Sequence, residues 1–294
     1  MNQSKIISFL FIGLLSISSS PIIARSLMSS ATVISFWRMM LASLVLWIYS
    51  FLFYKNSKSL SKKSRVRTFF AGVLLGIHFI LFYQAVKITT IANATFLGTL
   101  APFFTLIYEL FYLKRRYKRS IYLGMLLASI GTIFILYHDF NISNQYTLGN
   151  IYAILCSLCL SISFLIAEKV RESEGTIEYT RMLYFIAAVS IFFIGIFYTE
   201  SFIVLDSMEI NGFIFLALVP TILGHNIFYH CLKYTSPTIV ATIPLGEPII
   251  ASLIAFLIWG NEPMSSHTII GGFLCIMGIF IILRNRIDKD KVTI

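Results

Sequence analysis

Charge is what this chain has least of. Aspartate and glutamate number 13 and lysine and arginine 23 among 294 residues, so charged side chains make up 12% of the chain against 57% hydrophobic. With a mean hydropathy of +0.84, a water-soluble globular domain is excluded. Connecting sequence is also scarce. No connection between the apolar runs exceeds 11 residues, which leaves no room for a soluble catalytic or nucleic-acid-binding domain. The four cysteines, Cys156, Cys159, Cys231 and Cys275, all fall inside apolar runs. Cys156 and Cys159 make a CxxC, but no second pair or nearby histidine completes a metal site. His225 and His230 stand five apart with no glutamate motif between them, unlike paired helical metal ligands. Phosphate loops and GxSxG elbows are missing as well. The expectation is therefore no cofactor, no metal, no nucleic-acid partner and no covalent chemistry; the partner that the composition demands is a lipid bilayer.

What the chain does have is apolar runs of spanning length, at about 6–24, 32–54, 66–85, 90–112, 120–138, 148–168, 179–198, 210–232, 237–259 and 267–284. Each is long enough to cross a hydrocarbon core of roughly 30 Å. The fold class expected is an all-α polytopic membrane protein of ten transmembrane helices. The net charge of +10 is distributed by connection. Lys55, Lys58, Lys62, Lys63, Arg65 and Arg67 fill the second, and Lys114, Arg115, Arg116, Lys118 and Arg119 the fourth. Lys169, Arg171 and Arg181 flank the sixth, and Arg284, Arg286, Lys289 and Lys291 fill the tail. The odd connections carry Asp139, Glu200, Asp206, Glu209 and Glu262, with only Arg25 and Lys87 as cations. Basic loops stay in the cytoplasm, which predicts a multi-pass protein of the cell membrane with both termini cytoplasmic. Ser18-Ser19-Ser20-Pro21 offers no clear cleavage site, so the first run is read as retained.

An internal similarity recurs at a constant offset of 146 residues. Phe82 to Thr90 (FYQAVKITT) matches Phe228 to Ser236 (FYHCLKYTS), and Pro102 matches Pro248. One inserted residue later, Gly124 and Gly131 correspond to Gly271 and Gly278. Two five-helix units are predicted, 1–143 and 144–294. Because five is odd, the second enters the membrane upside down. Inverted repeats are a device of alternating-access transporters.

The most informative stretch is Thr242 to Pro248 (TIPLGEP), inside a 23-residue run from Pro237 to Trp259 whose only charge is Glu247. A carboxylate near the midplane costs several kcal/mol unless it is protonated, paired or facing water. Pro244, Gly246 and Pro248 loosen the helix around it and free backbone carbonyls. Arg38, about six residues into the second run, either snorkels to the interface or points inward as an anion clamp. His78, His225 and Asn226 lie at middle depths, with Tyr83 and Tyr229 nearer helix ends. Singly these are interhelical hydrogen-bond glue; together with Arg38 and Glu247 they are the expected substrate or coupling site. Glu109, beside Lys114 to Arg116, reads as a solvated interfacial charge. Gly72 with Gly76, Gly124 with Ala128, and Gly271 with Cys275 are small-xxx-small pairs suited to close helix packing or to a homodimer. Asn93-Ala94-Thr95 and Asn141-Ile142-Ser143 match the glycosylation pattern, and only Asn141 falls on an outer connection.

Ser35 to Leu44 (SFWRMMLASL), the ends Phe82 to Thr90 and Phe228 to Ser236, and Leu245 to Pro248 followed by Trp259-Gly260-Asn261-Glu262 and Gly271 to Gly278 resemble, in combination, the EamA-type branch of the drug/metabolite transporter superfamily. The resemblance covers nearly the whole chain. Two departures stand out: Lys114-Arg115-Arg116 replaces an acidic residue usual in the first repeat, and Ser18-Ser19-Ser20-Pro21 replaces a common Trp-Gly. The resemblance implies a secondary transporter of a small organic solute, an amino acid, related metabolite or drug-like compound, driven by a proton or solute gradient. Alternatives are a channel or a lipid-modifying membrane enzyme, for which His138-Asp139 is the only handle.

Overall fold

The computed structural model describes residues 2–53, 59–136, 143–198, 200–259 and 266–284, and every regular element among them is helical. The Asn141 sequon, His138-Asp139, the Gly260 to Glu262 motif, Lys55, Lys58 and the basic tail beyond Arg284 lie outside the described residues. Helices α1 (Gln3–Ile17) and α2 (Ser20–Ser26) form one crossing broken at Ser18-Ser19; α3 (Ala31–Phe53) and α4 (Lys62–Ile88) are long and continuous. A second broken crossing pairs α5 (Ile91–Gly98) with α6 (Ala101–Phe111), and α7 (Arg119–Leu136) follows. After a 3-10 turn at Asn144–Tyr146 come α8 (Thr147–Arg171) and α9 (Thr176–Phe197). Then α10 (Ser207–Leu216) runs through a π-helical stretch, Ala217–His225, into α11 (Asn226–Cys231). Finally α12 (Pro237–Thr242) passes through a 3-10 turn, Ile243–Gly246, into α13 (Glu247–Trp259), and α14 (Ser266–Arg284) completes the set.

Among the described residues, nine helical segments are long and apolar enough to cross a membrane. The tenth expected crossing, 237–259, is built as three pieces, so its regular apolar stretch is shorter. Proline explains the pieces. Pro244 and Pro248 cannot donate to the ladder, and the turn there closes through tighter bonds, from Ile243 N to Val240 O and from Glu247 N to Pro244 O. That leaves the Leu245 carbonyl free, and it is satisfied sideways: Thr132 Oγ1 of α7 donates to it at 2.9 Å and Cys275 Sγ of α14 at 3.2 Å. Backbone groups at membrane depth must find such partners within the protein. Helix starts are marked by capping side chains. Thr90 and Ser236, equivalent positions in the 146-residue offset, accept from Asn93 N and Ile239 N respectively, satisfying first-turn donors.

Large apolar side chains such as Phe51, Phe70, Phe193, Phe197 and Phe273 point outward and are more than half exposed, as suits a surface solvated by lipid. Inside, α7 and α14 meet almost backbone to backbone. A Cβ on Gly131 would lie 2.5 Å from Gly271 O and Cys275 N, and one on Gly278 2.5 Å from Gly124 O and Ala128 N. A Cβ on Gly72 would lie 2.8 Å from Ile186 of α9. The small-residue motifs are thus consumed within the chain, and they give no support to the expected homodimer.

Two ends of the bundle are defined by α4 and α8, which run antiparallel: Thr89 Oγ1 donates to Asn150 at one end, and Glu174 accepts from Ser61 N at the other. At the first, the Lys87 end, Lys87 Nζ donates to Leu27 O, Arg25 Nη1 to Val86 O and Thr89 O, and the Glu209 carboxylate accepts from Met28 N and Ser29 N. At the second, the Arg115 end, side-chain charges dominate. Arg115 bridges Glu109 and Glu168, two carboxylates with fully buried side chains. Glu109 also accepts from Tyr117 Oη at 2.7 Å, from Thr238 N at 3.2 Å and from Thr238 Oγ1. Burial, followed by the Glu109 charge, pushes the Tyr117 phenol upward, so it remains a donor. The expectation that Glu109 is a solvated interfacial charge is corrected: folding of α8 and α12 over it removes it from water.

Candidate functional site

A cavity lies among the helix irregularities. Ile17 and Ser20 flank the α1/α2 break, Gly98 and Thr99 form the α5/α6 break, Pro244 and Glu247 bound the 3-10 turn before α13, and His225 ends the π stretch. These four departures from regular helix therefore border the same space. Non-helical backbone at membrane depth is tolerated where it lines a cavity, and broken helices around a midplane space are how transporters build substrate sites. Regular helices supply the rest: Arg38 from α3, His78, Phe79 and Phe82 from α4, and Leu160 from α8.

Arg38 is fully buried; it points inward and does not snorkel. Its Nε donates to Thr221 Oγ1 at 2.7 Å, and its Nη1 donates to Ser20 Oγ at 3.0 Å and to Tyr83 Oη. The guanidinium carbon sits 4.1 Å from the centre of the Phe79 ring, a cation–π arrangement that partly offsets desolvation. Ser20 and Tyr83 also hydrogen-bond each other at 3.0 Å. Thr221 is placed by the π geometry, because its hydroxyl donates to Leu216 O five residues back. One donor remains over: Arg38 Nη2 is buried without a hydrogen-bond partner among the described residues.

Glu247 borders the same cavity, 6% exposed, in the first turn of α13, where the positive end of the helix favours a carboxylate. Among the described residues it makes no hydrogen bond or ion pair; the ion pairs found there are Arg115 with Glu109 and Glu168, and Lys169 with Glu172. Arg38 and Glu247 thus face one space unpaired. His78 and His225 stand with ring centres 6.3 Å apart. His78 Nδ1 bonds to Cys156 O at 2.9 Å, whereas His225 Nδ1 has no partner. Among the described residues no group of three or more His, Cys, Asp or Glu is arranged to hold a metal ion.

The structure thus brings four expected residues, Arg38, His78, His225 and Glu247, to one cavity, with Tyr83 directly behind Arg38. It does not bring Asn226 or Tyr229 to its wall. Tyr229 packs instead with Phe164, Tyr179 and Tyr184. Sequence reasoning missed Ser20 and Thr221. The signal for Ser20 was its place beside Pro21 in a helix break; Thr221 lies next to Pro220, but nothing announced a π turn.

Family comparison decides the class. The model of the EamA-like transporter family matches residues 4–137 and again 147–284. The chain belongs to the EamA-like transporter family. Among curated proteins, the pseudopaline exporter CntI of Pseudomonas aeruginosa is 22% identical over 257 residues, 87% of each chain. An uncharacterized transporter of Archaeoglobus fulgidus is 24% identical over 194 residues, 64% of this chain and 66% of that one. A solved crystal structure superposes with a TM-score of 0.79 at 16% identity, covering 95% of this chain and 96% of that one, which speaks to the fold alone. An EamA-like family member of this kind is a multi-pass membrane transporter of the drug/metabolite superfamily, and these relatives point away from an enzyme.

Proposed function

We propose that this EamA-like protein moves a small organic solute carrying both a carboxylate and an ammonium group, an amino acid or related metabolite, by alternating access. The observation that carries the reading is a pair of opposite charges lining one cavity: among the described residues Arg38 Nη2 has no hydrogen-bond partner and Glu247 makes no hydrogen bond or ion pair. A zwitterion presents a carboxylate to the forked donors of arginine and an ammonium to the carboxylate. In this reading residues 1–143 and 144–294 are inverted halves, and access alternates as one rocks against the other. The Arg115 end faces the cytoplasm and the Lys87 end the outside, with both termini cytoplasmic in the cell membrane, as the basic connections require. One similar chain bears the name of an exporter, which favours outward movement here.

Glu247 is the coupling group. Its carboxyl can hold either a proton or, as the carboxylate, the ammonium group of the solute. Proton and solute then compete for one carboxyl. The test is flux in proteoliposomes loaded with labelled amino acids, with and without a pH gradient. A one-unit gradient coupled to one proton supports about tenfold accumulation. Glu247→Gln should retain solute exchange and lose that accumulation; a well-expressed mutant that still accumulates tenfold refutes the assignment.

Arg38→Ala removes a charged donor set and should lower flux of zwitterions by about 10- to 100-fold, because hydrogen bonds to charged groups contribute about 1.5–3 kcal/mol each. Arg38→Lys keeps the charge but loses the fork, so its flux should fall between. Cationic solutes lacking a carboxylate should be affected least. Equal loss for cationic and zwitterionic solutes, in protein that remains monodisperse, would reduce Arg38 to a structural role.

A further inference from the structure

Away from the central cavity, toward the Arg115 end, three tyrosines converge. Tyr179 and Tyr184 of α9 meet Tyr229 of α11 with ring centres 5.6 Å and 6.3 Å apart, both edge-on. All three are fully buried; the hydroxyls of Tyr179 and Tyr184 have no hydrogen-bond partner among the described residues, and that of Tyr229 has only the Ser163 hydroxyl nearby, outside good hydrogen-bond geometry. A buried hydroxyl left unpaired costs about 1–3 kcal/mol, and most buried polar groups in folded proteins are satisfied. Two unpaired hydroxyls and one poorly paired one on adjoining rings are donors that a ligand can use.

The sign of that partner follows from the neighbours. On the Arg115 side lies Arg171, whose Nε donates to Tyr229 O at 3.2 Å. Its Nη1 donates to Glu174 O and its Nη2 to Thr176 Oγ1 at 2.7 Å; among the described residues it makes no ion pair, and the Glu174 and Glu178 charges act on it only from a distance. On the cavity side, α9 packs along α3, the helix that carries Arg38, and Arg38 Nη2 is itself a donor without a partner among the described residues. Unused donors therefore lie between two guanidinium groups, without a carboxylate bonded to any of the three rings. A group rich in acceptors and negatively charged fits this place; an ammonium would meet two cations.

The repeat supplies a reason for the position. The offset of 146 residues carries Arg38 onto Tyr184 and Tyr83 onto Tyr229. The pair that holds the central anion clamp thus has its equivalent in the second half, with the guanidinium replaced by a neutral phenol. A neutral donor holds an anion more weakly than an arginine does, which suits a place of passage better than a place of capture.

We propose that Tyr179, Tyr184 and Tyr229 form a second anion subsite, a transit position for the carboxylate of the solute between Arg38 and Arg171. The inference rests on the reading of the central cavity as a site for a solute bearing a carboxylate, but its test does not depend on flux or on the identity of that solute. Bromide is the probe. Crystals of the full chain grown in sodium bromide should show an anomalous peak within hydrogen-bonding distance of the three hydroxyls. The triple variant Tyr179→Phe, Tyr184→Phe, Tyr229→Phe keeps the rings and removes the donors, and it should lose this peak while retaining any at Arg38 Nη2.

Melting temperature gives the second measurement. Bromide should raise it more in the parent protein than in the triple variant, and without bromide the variant should melt at or above the parent, since unpaired hydroxyls have been removed. An anomalous peak at Arg38 with ordered water alone at the tyrosines would overturn the second subsite and leave the central one standing. A tyrosine peak that persists in the triple variant would also overturn it. A variant that melts well below the parent without bromide would show that the hydroxyls are already satisfied by water, and the proposal fails.

Discussion

Arg115→Ala should destabilise the protein by about 3–5 kcal/mol, the range for removing one partner of a buried ion network. Arg115 Nη1 donates to Glu109 and, at 3.1 Å, to Glu168 Oε1, while Nη2 donates to Glu168 Oε2 at 3.1 Å. Both glutamate side chains are fully buried, and the arginine's is 15% exposed. Truncation would leave two desolvated carboxylates side by side without their shared cation, Glu109 keeping the neutral donors of Tyr117 and Thr238. At about 2–4 °C per kcal/mol for a chain of this order of size, the melting temperature should fall by roughly 10 °C. Arg115→Lys places one point charge where a fork bridged two acceptors and should fall between. Adding Glu109→Gln and Glu168→Gln to Arg115→Met should recover most of the loss, because a network without charges needs no counterion. A melting temperature for Arg115→Ala within 2 °C of the parent would mean that water reaches the network and that its charges are screened.

A larger loss is expected at the α7 and α14 contact. Gly131→Leu puts a Cβ 2.5 Å from the backbone of Gly271 and Cys275, a contact that no rotamer relieves. Inserting atoms into a packed interior ordinarily costs about 1–3 kcal/mol, and here the obstacle is backbone, so the helices must separate. Separation would also withdraw Thr132 and Cys275 from the Leu245 carbonyl, loosening the turn that presents Glu247. Size-exclusion chromatography of detergent extracts should show aggregate in place of a monodisperse peak. Gly175→Ala is the control: its Cβ would meet only the far end of the Glu178 side chain, which moves cheaply. A monodisperse Gly131→Leu protein with unchanged melting would show that the two helices are not in backbone contact.

How much of this was legible beforehand depends on the residue. Glu247 and Arg38 stood out because a charge in an apolar run has few bland explanations, and the Pro-Leu-Gly-Glu-Pro pattern announced the broken helix. Azimuth was not legible. Helices apolar on all sides give no face to read, so Tyr229 and Asn226 are grouped with His225 by sequence although neither lines the cavity. Glu109 was misread because three neighbouring cations offered an economical surface partner; its actual surroundings come from Glu168 and Thr238, far along the chain. The repeat was visible as an offset, but the change from Arg38 to Tyr184 across it gains meaning only when the Tyr184 hydroxyl is seen to be unpaired among the described residues.

The π-helical stretch from Ala217 to His225 also bears on how sequences of this family are aligned. A π turn holds one residue more than an α turn, and each residue rotates a helix by about 100°. Deleting one residue within that stretch would restore α geometry and leave α10 and α11 in their present register. The same deletion within α4 or α8 would swing every later side chain to another face. A relative that lacks one residue between positions 217 and 225 should therefore align without disturbance on either side, while Arg38 would lose its Thr221 acceptor.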